Sequence, residues 1–117
     1  VSLRIGRNNL YGTLPTELGN LKDALTLHMP WNKFTGTIPI KIAQMTSLLA
    51  INLKENELSG DIPSIMGGIP NLKILEVQGN NLVGEVPRRI CQKSLDLLKV
   101  DCEEVECNCC KKDSCEN

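Results

Sequence analysis

Asn56-Glu-Leu-Ser-Gly-Asp-Ile-Pro63 is the stretch on which the fold turns, because the chain writes it four times. The other copies are Asn8-Asn-Leu-Tyr-Gly-Thr-Leu-Pro15, Asn32-Lys-Phe-Thr-Gly-Thr-Ile-Pro39 and Asn80-Asn-Leu-Val-Gly-Glu-Val-Pro87, each 24 residues from the next. A fixed period of this length marks a solenoid, in which one supersecondary unit stacks on its neighbour and no unit can bury its apolar face alone.

Working outward from the asparagines, the positions eight, five and three residues earlier are aliphatic in every complete copy: Ala24, Leu27, Met29; Leu48, Ile51, Leu53; Leu72, Leu75, Val77. Leu3 and Ile5 are what remains of this set in the first copy. The last two of each set alternate with polar neighbours, as a short half-buried strand requires. Beyond the asparagine, Leu10, Phe34, Leu58 and Leu82 are expected to turn inward, followed by Leu14, Ile38, Ile62 and Val86, and then by Leu18, Ile42, Met66 and Ile90. Each coil therefore supplies a ring of aliphatics that only adjacent coils can cover.

The remaining positions of the phrase are structural. An asparagine amide both donates and accepts, so Asn8, Asn32, Asn56 and Asn80 are expected to form a ladder onto backbone groups of the turn after each strand. Gly12, Gly36, Gly60 and Gly84 suit a sharp bend with positive φ. Pro15, Pro39, Pro63 and Pro87 suit an extended or helix-starting backbone just beyond it. The repeats occupy residues 1–90, the first being truncated, and Val1-Ser-Leu-Arg-Ile5 reads as the strand leading to Asn8. The expectation is that further residues precede Val1, or that a partner covers the first coil.

All six cysteines fall after the last full repeat: Cys91, Cys102, Cys107, Cys109, Cys110 and Cys115. Leu95-Asp-Leu-Leu-Lys-Val-Asp-Cys102 matches Leu72-Lys-Ile-Leu-Glu-Val-Gln-Gly79 at an offset of 23, so residues 91–117 hold a last partial repeat and then a cysteine-rich cap. Disulfides seal the end of a solenoid without a large core. Six cysteines allow fifteen pairings, and the order of residues does not choose among them. Adjacent Cys109 and Cys110 would be strained if joined, so each is expected to pair elsewhere. A soft metal on Cys-x-Cys-Cys and free reactive thiols are the rival readings. The only histidine, His28, is distant in sequence and regular Cys-x-x-Cys pairs are missing, so no metal site is assigned.

Composition narrows the class further. Only 3% of residues are aromatic, which suits a narrow coil filled by Leu, Ile and Val. The formal charge is -1, unlike a nucleic-acid surface, and no stretch is apolar and long enough to cross a bilayer. Residues 1–90 carry nine Lys/Arg against seven Asp/Glu, and residues 91–117 carry four against seven. No Asn-x-Ser/Thr sequon occurs. With one histidine, no phosphate loop and no nucleophile–base pairing, the sequence offers no catalytic residues, no cofactor site and no reaction.

The phrase Asn-x-Leu-x-Gly-x-Ile-Pro, preceded by Leu-x-x-Leu-x-Leu spacing, resembles the leucine-rich repeats of the plant-type extracellular class over residues 1–90. The resemblance implies an α/β-type repeat solenoid. It would be a right-handed coil with a concave parallel sheet, a 3₁₀ or irregular convex side and a second short strand near Gly-x-Ile-Pro. Asp-Cys…Cys-x-Cys-Cys…Cys also resembles the ends of secreted algal leucine-rich-repeat proteins. Relatives of the first class include receptor-kinase ectodomains and secreted enzyme inhibitors. About five coils at about 4.8 Å each give a short stack of roughly 20–25 Å.

The strand register assigns the outward rows. Arg4, His28, Asn52, Glu76 and Lys99 form one, and Gly6, Pro30, Lys54, Gln78 and Asp101 the next. Ser2, Thr26, Ala50, Ile74 and Leu97 form a third. Trp31, the sole tryptophan, either anchors an interface or packs over the edge of its coil. Pro30 lacks an N–H and is expected to interrupt the ladder just after Met29. The candidate protein-binding residues are Arg4, His28, Trp31, Asn52, Lys54, Glu76, Gln78 and Lys99. They suit a non-catalytic interaction module whose partner is another protein. The alternatives are a structural subunit packed permanently into a larger complex, and a secreted inhibitor or receptor-ectodomain fragment. Disulfides would place the chain in a secreted, cell-surface or lumenal oxidising space.

Overall fold

The computed structural model of the protein describes residues 2–115. Five three-residue strands form one parallel sheet in the order β1 (Ser2–Arg4), β3 (Thr26–His28), β5 (Ala50–Asn52), β7 (Ile74–Glu76) and β10 (Leu97–Lys99). The central residues Leu3, Leu27, Ile51, Leu75 and Leu98 stand in register and point inward. Each strand lies one coil from the next, so parallel pairing needs no crossover beyond the coil itself.

Past the asparagine the chain runs into a second set of short strands. β2 (Tyr11–Thr13) pairs with β4 (Lys33–Thr35), β6 (Ser59–Gly60) with β8 (Asn81–Leu82), and β9 (Gly84–Glu85) with β11 (Val105–Glu106). Gly12, Gly36, Gly60 and Gly84 all have positive φ here, between 77° and 94°. Each repeat proline then opens a convex turn with its carbonyl, which accepts the N–H of Leu18, Ile42, Met66 or Ile90 at 3.0–3.2 Å. The first three turns are 3₁₀ segments, Thr16–Asn20, Ile40–Gln44 and Ser64–Gly68. The fourth, Arg88–Cys91, is a single α turn.

The inward aliphatics make one continuous core, with Leu27, Ile42, Leu48, Ile51, Leu53, Leu58, Met66 and Leu75 fully enclosed. Leu10, in the first described coil, departs from its expected inward place and is 38% exposed. Leu3 and Ile5 of the same coil are half-buried. Small residues recur on the convex side at Gly19, Ala43, Gly67 and Cys91. They allow close stacking: a Cβ on Gly19 would stand 2.6 Å from the Lys41 carbonyl, and one on Gly67 2.5 Å from Cβ of Arg89.

The cap closes the C-terminal end. Cys91–Cys109 ties the last convex turn to it, Cys102–Cys115 ties the turn after β10 to the 3₁₀ turn Lys112–Cys115, and Cys107–Cys110 closes a short loop. Val100 donates to the Ser114 carbonyl at 2.9 Å, which occupies the edge of the concave sheet just beyond β10. All six sulfurs are committed to disulfides, so neither thiolate metal ligation nor free thiols describes this end.

Candidate recognition surface

The asparagine ladder fixes the margin of the concave face. Asn32 donates through Nδ2 to the carbonyl of Ile5 at 2.6 Å, Asn56 to Met29 at 3.0 Å and Asn80 to Leu53 at 3.0 Å. Each Oδ1 accepts backbone N–H groups of the preceding coil: Asn8 and Leu10 on Asn32, Phe34 on Asn56 and Leu58 on Asn80. Asn8, in the first described coil, is exposed. At the other end Asp101 takes the role, accepting from Gly79 at 2.9 Å and from Asn80 at 3.2 Å.

This geometry overturns the interruption expected at Pro30. The sheet bonds continue past it: Met29 donates to Asn52, Trp31 donates to Lys54, and Arg7 donates to the Pro30 carbonyl. The acceptor that a residue at position 30 would otherwise reach is the Ile5 carbonyl, and the Asn32 amide already occupies it. In the next coil, Lys54 likewise turns its N–H to its own strand, onto Oδ1 of Asn52 at 3.1 Å. A proline at this repeat position therefore removes a donor the sheet does not use.

The outward row Arg4–His28–Asn52–Glu76–Lys99 is aligned strand by strand. Arg4 is exposed, while His28, Glu76 and Lys99 are half-buried with part of each side chain in solvent. Two of the expected surface residues are not available. Asn52 is 7% exposed and held in its turn with Lys54, and Gln78 is 3% exposed. An outward register does not guarantee exposure where strands about 4.8 Å apart let neighbouring side chains lie against one another. Ile74 and Leu97, in the third row, are half-buried as well.

The residue before each ladder asparagine adopts the left-handed conformation: Arg7 at φ 54°, Trp31 at 59°, Glu55 at 56° and Gly79 at 73°. Non-glycine residues there cost about 1–2 kcal/mol each, and the ladder bonds on either side hold them in place. This row was missed in the sequence, although Gly79 in the fourth copy was its signal. It carries Trp31 at the margin of the sheet, 42% exposed, with the Arg7 guanidinium 4.9 Å from the ring centre. Glu55, the next residue in the row, leans toward Gly79: a Cβ there would lie 2.6 Å from its carboxylate carbon. Trp31 thus packs at the edge of the sheet with part of its side chain in solvent.

His28 sits at the centre of this region. Its pKa is held below the ordinary value, first by burial and then by the positive charges of Arg4 and Lys54, with Glu76 acting in the opposite sense. The charge of the chain is polarised along the stack. Residues 1–54 carry six Lys/Arg against two Asp/Glu, and residues 55–117 carry seven against twelve, giving +4 and -5. Among the described residues no helix is long and apolar enough to cross a membrane.

Comparison with known proteins agrees with this architecture. The Leucine Rich Repeat family matches residues 71–92. Among solved structures, the plant peptide hormone receptor RGFR1 in complex with RGF2 is 34% identical, with a TM-score of 0.77 over 85% of this chain and 16% of that one. The BIR3–SERK2 complex from Arabidopsis thaliana is 31% identical, with a TM-score of 0.75 over 85% of this chain and 55% of that one. A plant ice-binding protein is 30% identical, with a TM-score of 0.77 over 91% of this chain and 34% of that one. No curated protein matches the chain. It is a leucine-rich repeat solenoid. More narrowly, it belongs with the plant-type extracellular leucine-rich repeat proteins. It spans less than two thirds of the length of each structure named above.

Proposed function

We propose that the concave sheet is a non-catalytic protein-recognition surface that works outside the cell or in another oxidising compartment. The observation that carries this reading is the aligned row of Arg4, His28, Glu76 and Lys99 on a five-stranded sheet, with Trp31 presented at its margin. Tryptophan and arginine are the side chains that most often anchor interfaces, and a rigid sheet presents them with no backbone left to order on binding. The structures of RGFR1 with RGF2 and of BIR3 with SERK2 support a binding role for repeats of this kind. The three disulfides support the compartment. The test is isolation of the intact protein from its source with its partner, followed by Trp31→Ala and Glu76→Lys. Both should weaken the complex without lowering the melting temperature; unchanged binding by both variants removes the concave face from the interface.

A second reading, a subunit packed permanently into a larger assembly, is favoured by the convex isoleucines. Ile40 is 64% exposed and Ile65 44% exposed. In that case Ile40→Lys with Ile65→Lys disrupts the assembly, and the concave variants leave it intact.

A further inference from the structure

We propose that the first three coils receive an acidic segment of the partner polypeptide, its carboxylates set against Arg4, Arg7 and Lys54 and an apolar side chain against the Trp31 ring. This rests on the recognition reading above and names the class of ligand. Three observations lead to it.

The first is charge. The N-terminal half of the stack is net positive and the C-terminal half net negative, so an acidic strand is drawn to one end of the face and repelled from the other. The second is the arrangement at Trp31. Arg7 lies over the ring, so cation and aromatic surface present themselves together, and the nearest carboxylate in that row, Glu55, leans away onto Gly79. A larger residue at position 79 would meet that carboxylate, so the glycine is what lets Glu55 vacate the margin. The third is that Arg4 and Lys54 both stand close enough to His28 to disfavour its protonation, against the opposing charge of Glu76 in the next strand but one. Arg4 and Lys54 thus flank His28, while Arg7 lies over the half-exposed indole of Trp31. Glu76 and Glu55 border the patch on the C-terminal side and give the bound segment a direction, with its carboxylates toward the first coil.

Trp31 is the only tryptophan, so its fluorescence reports on the patch alone. The probe is a short synthetic peptide of Asp-Gly-Leu repeats, with a Lys-Gly-Leu peptide as its opposite, titrated into the intact disulfide-bonded protein. The acidic peptide is expected to change the emission saturably and to bind at least about tenfold more weakly when salt rises from about 50 to about 500 mM. Arg4→Glu and Arg7→Glu should each weaken it by about tenfold or more, while Lys41→Glu and Arg88→Glu on the convex side leave it unchanged. The salt series needs no variant and holds even where one fails to fold.

Equal binding of the basic peptide, equal loss from the convex variants, or no saturable change with the acidic peptide overturns the proposal. If the isolated partner is still lost on Glu76→Lys while Arg4→Glu and Arg7→Glu bind it normally, the recognition surface stands and the acidic ligand falls. If none of these variants affects the partner, both fall.

Discussion

The side-chain amide of Asn32 donates to the backbone carbonyl of Ile5, the acceptor that Pro30 cannot reach for lack of an N–H. One relationship thus explains both the asparagine and the tolerance of proline two residues before it. Asn56→Ala and Asn32→Ala are each expected to destabilise the fold by about 1–3 kcal/mol, because buried carbonyl and N–H groups lose their partners. Asn8→Ala, on an exposed side chain, should stay within about 0.5 kcal/mol. Chemical denaturation of the three variants decides it, and equal losses at all three sites would contradict the ladder.

Pro30→Ala restores a backbone N–H that the sheet has no place for. It is expected to gain nothing and to lose up to about 1 kcal/mol through the freer unfolded chain. A stabilisation of the variant in the same denaturation experiment would mean that the missing N–H is costly after all.

Gly67→Ala forces the convex turn away from Arg89, since the added carbon would stand 2.5 Å from Cβ and 2.8 Å from the carbonyl carbon of that residue. Overpacking of this kind costs about 1–3 kcal/mol. Ala43, in the same row, shows that the position accepts a methyl group where its neighbours give way, so the measurement to make is the thermal midpoint of Gly67→Ala beside Ala43→Gly.

Among the disulfides, Cys91–Cys109 closes a separation of 18 residues and Cys107–Cys110 one of 3. Chain entropy assigns about 3 kcal/mol to the first and roughly half that to the second. Paired Cys→Ser replacement, followed by denaturation, should show the larger loss for the first pair; the reverse order would place the stabilisation elsewhere than in loop closure.

His28 is protonated less readily in the folded chain than in the unfolded one, with burial, Arg4 and Lys54 holding its pKa down against Glu76. In the window from its ordinary value down to its folded value, the unfolded state therefore binds more protons. Stability should fall as pH falls through that window. His28→Gln should flatten that part of the profile; an unchanged slope would assign it to other groups.

The coil, the direction of each strand and the place of the cap were legible because glycine, proline and asparagine each meet a backbone requirement that few residues satisfy. The surface was less legible. Asn52 and Gln78 have the alternation of exposed residues and yet are buried, since alternation reports a direction and not what lies there. Asp101 does the work of an asparagine from a repeat position two residues earlier, and no copy of the motif announces it. The disulfide pairs depend on which loops meet in space. Trp31 stood out in the sequence, but its pairing with Arg7 is a contact between coils that no single repeat contains.

Every asparagine bond between coils runs backward along the chain. A turn receives this amide partner from a residue 22–27 positions later, so no coil has its full set of bonds until its successor exists. On a ribosome this makes assembly a relay, each new segment finishing the one before it. Asp101 ends the relay, because a carboxylate accepts from the turn behind it and its side chain has no donor of its own to pass on.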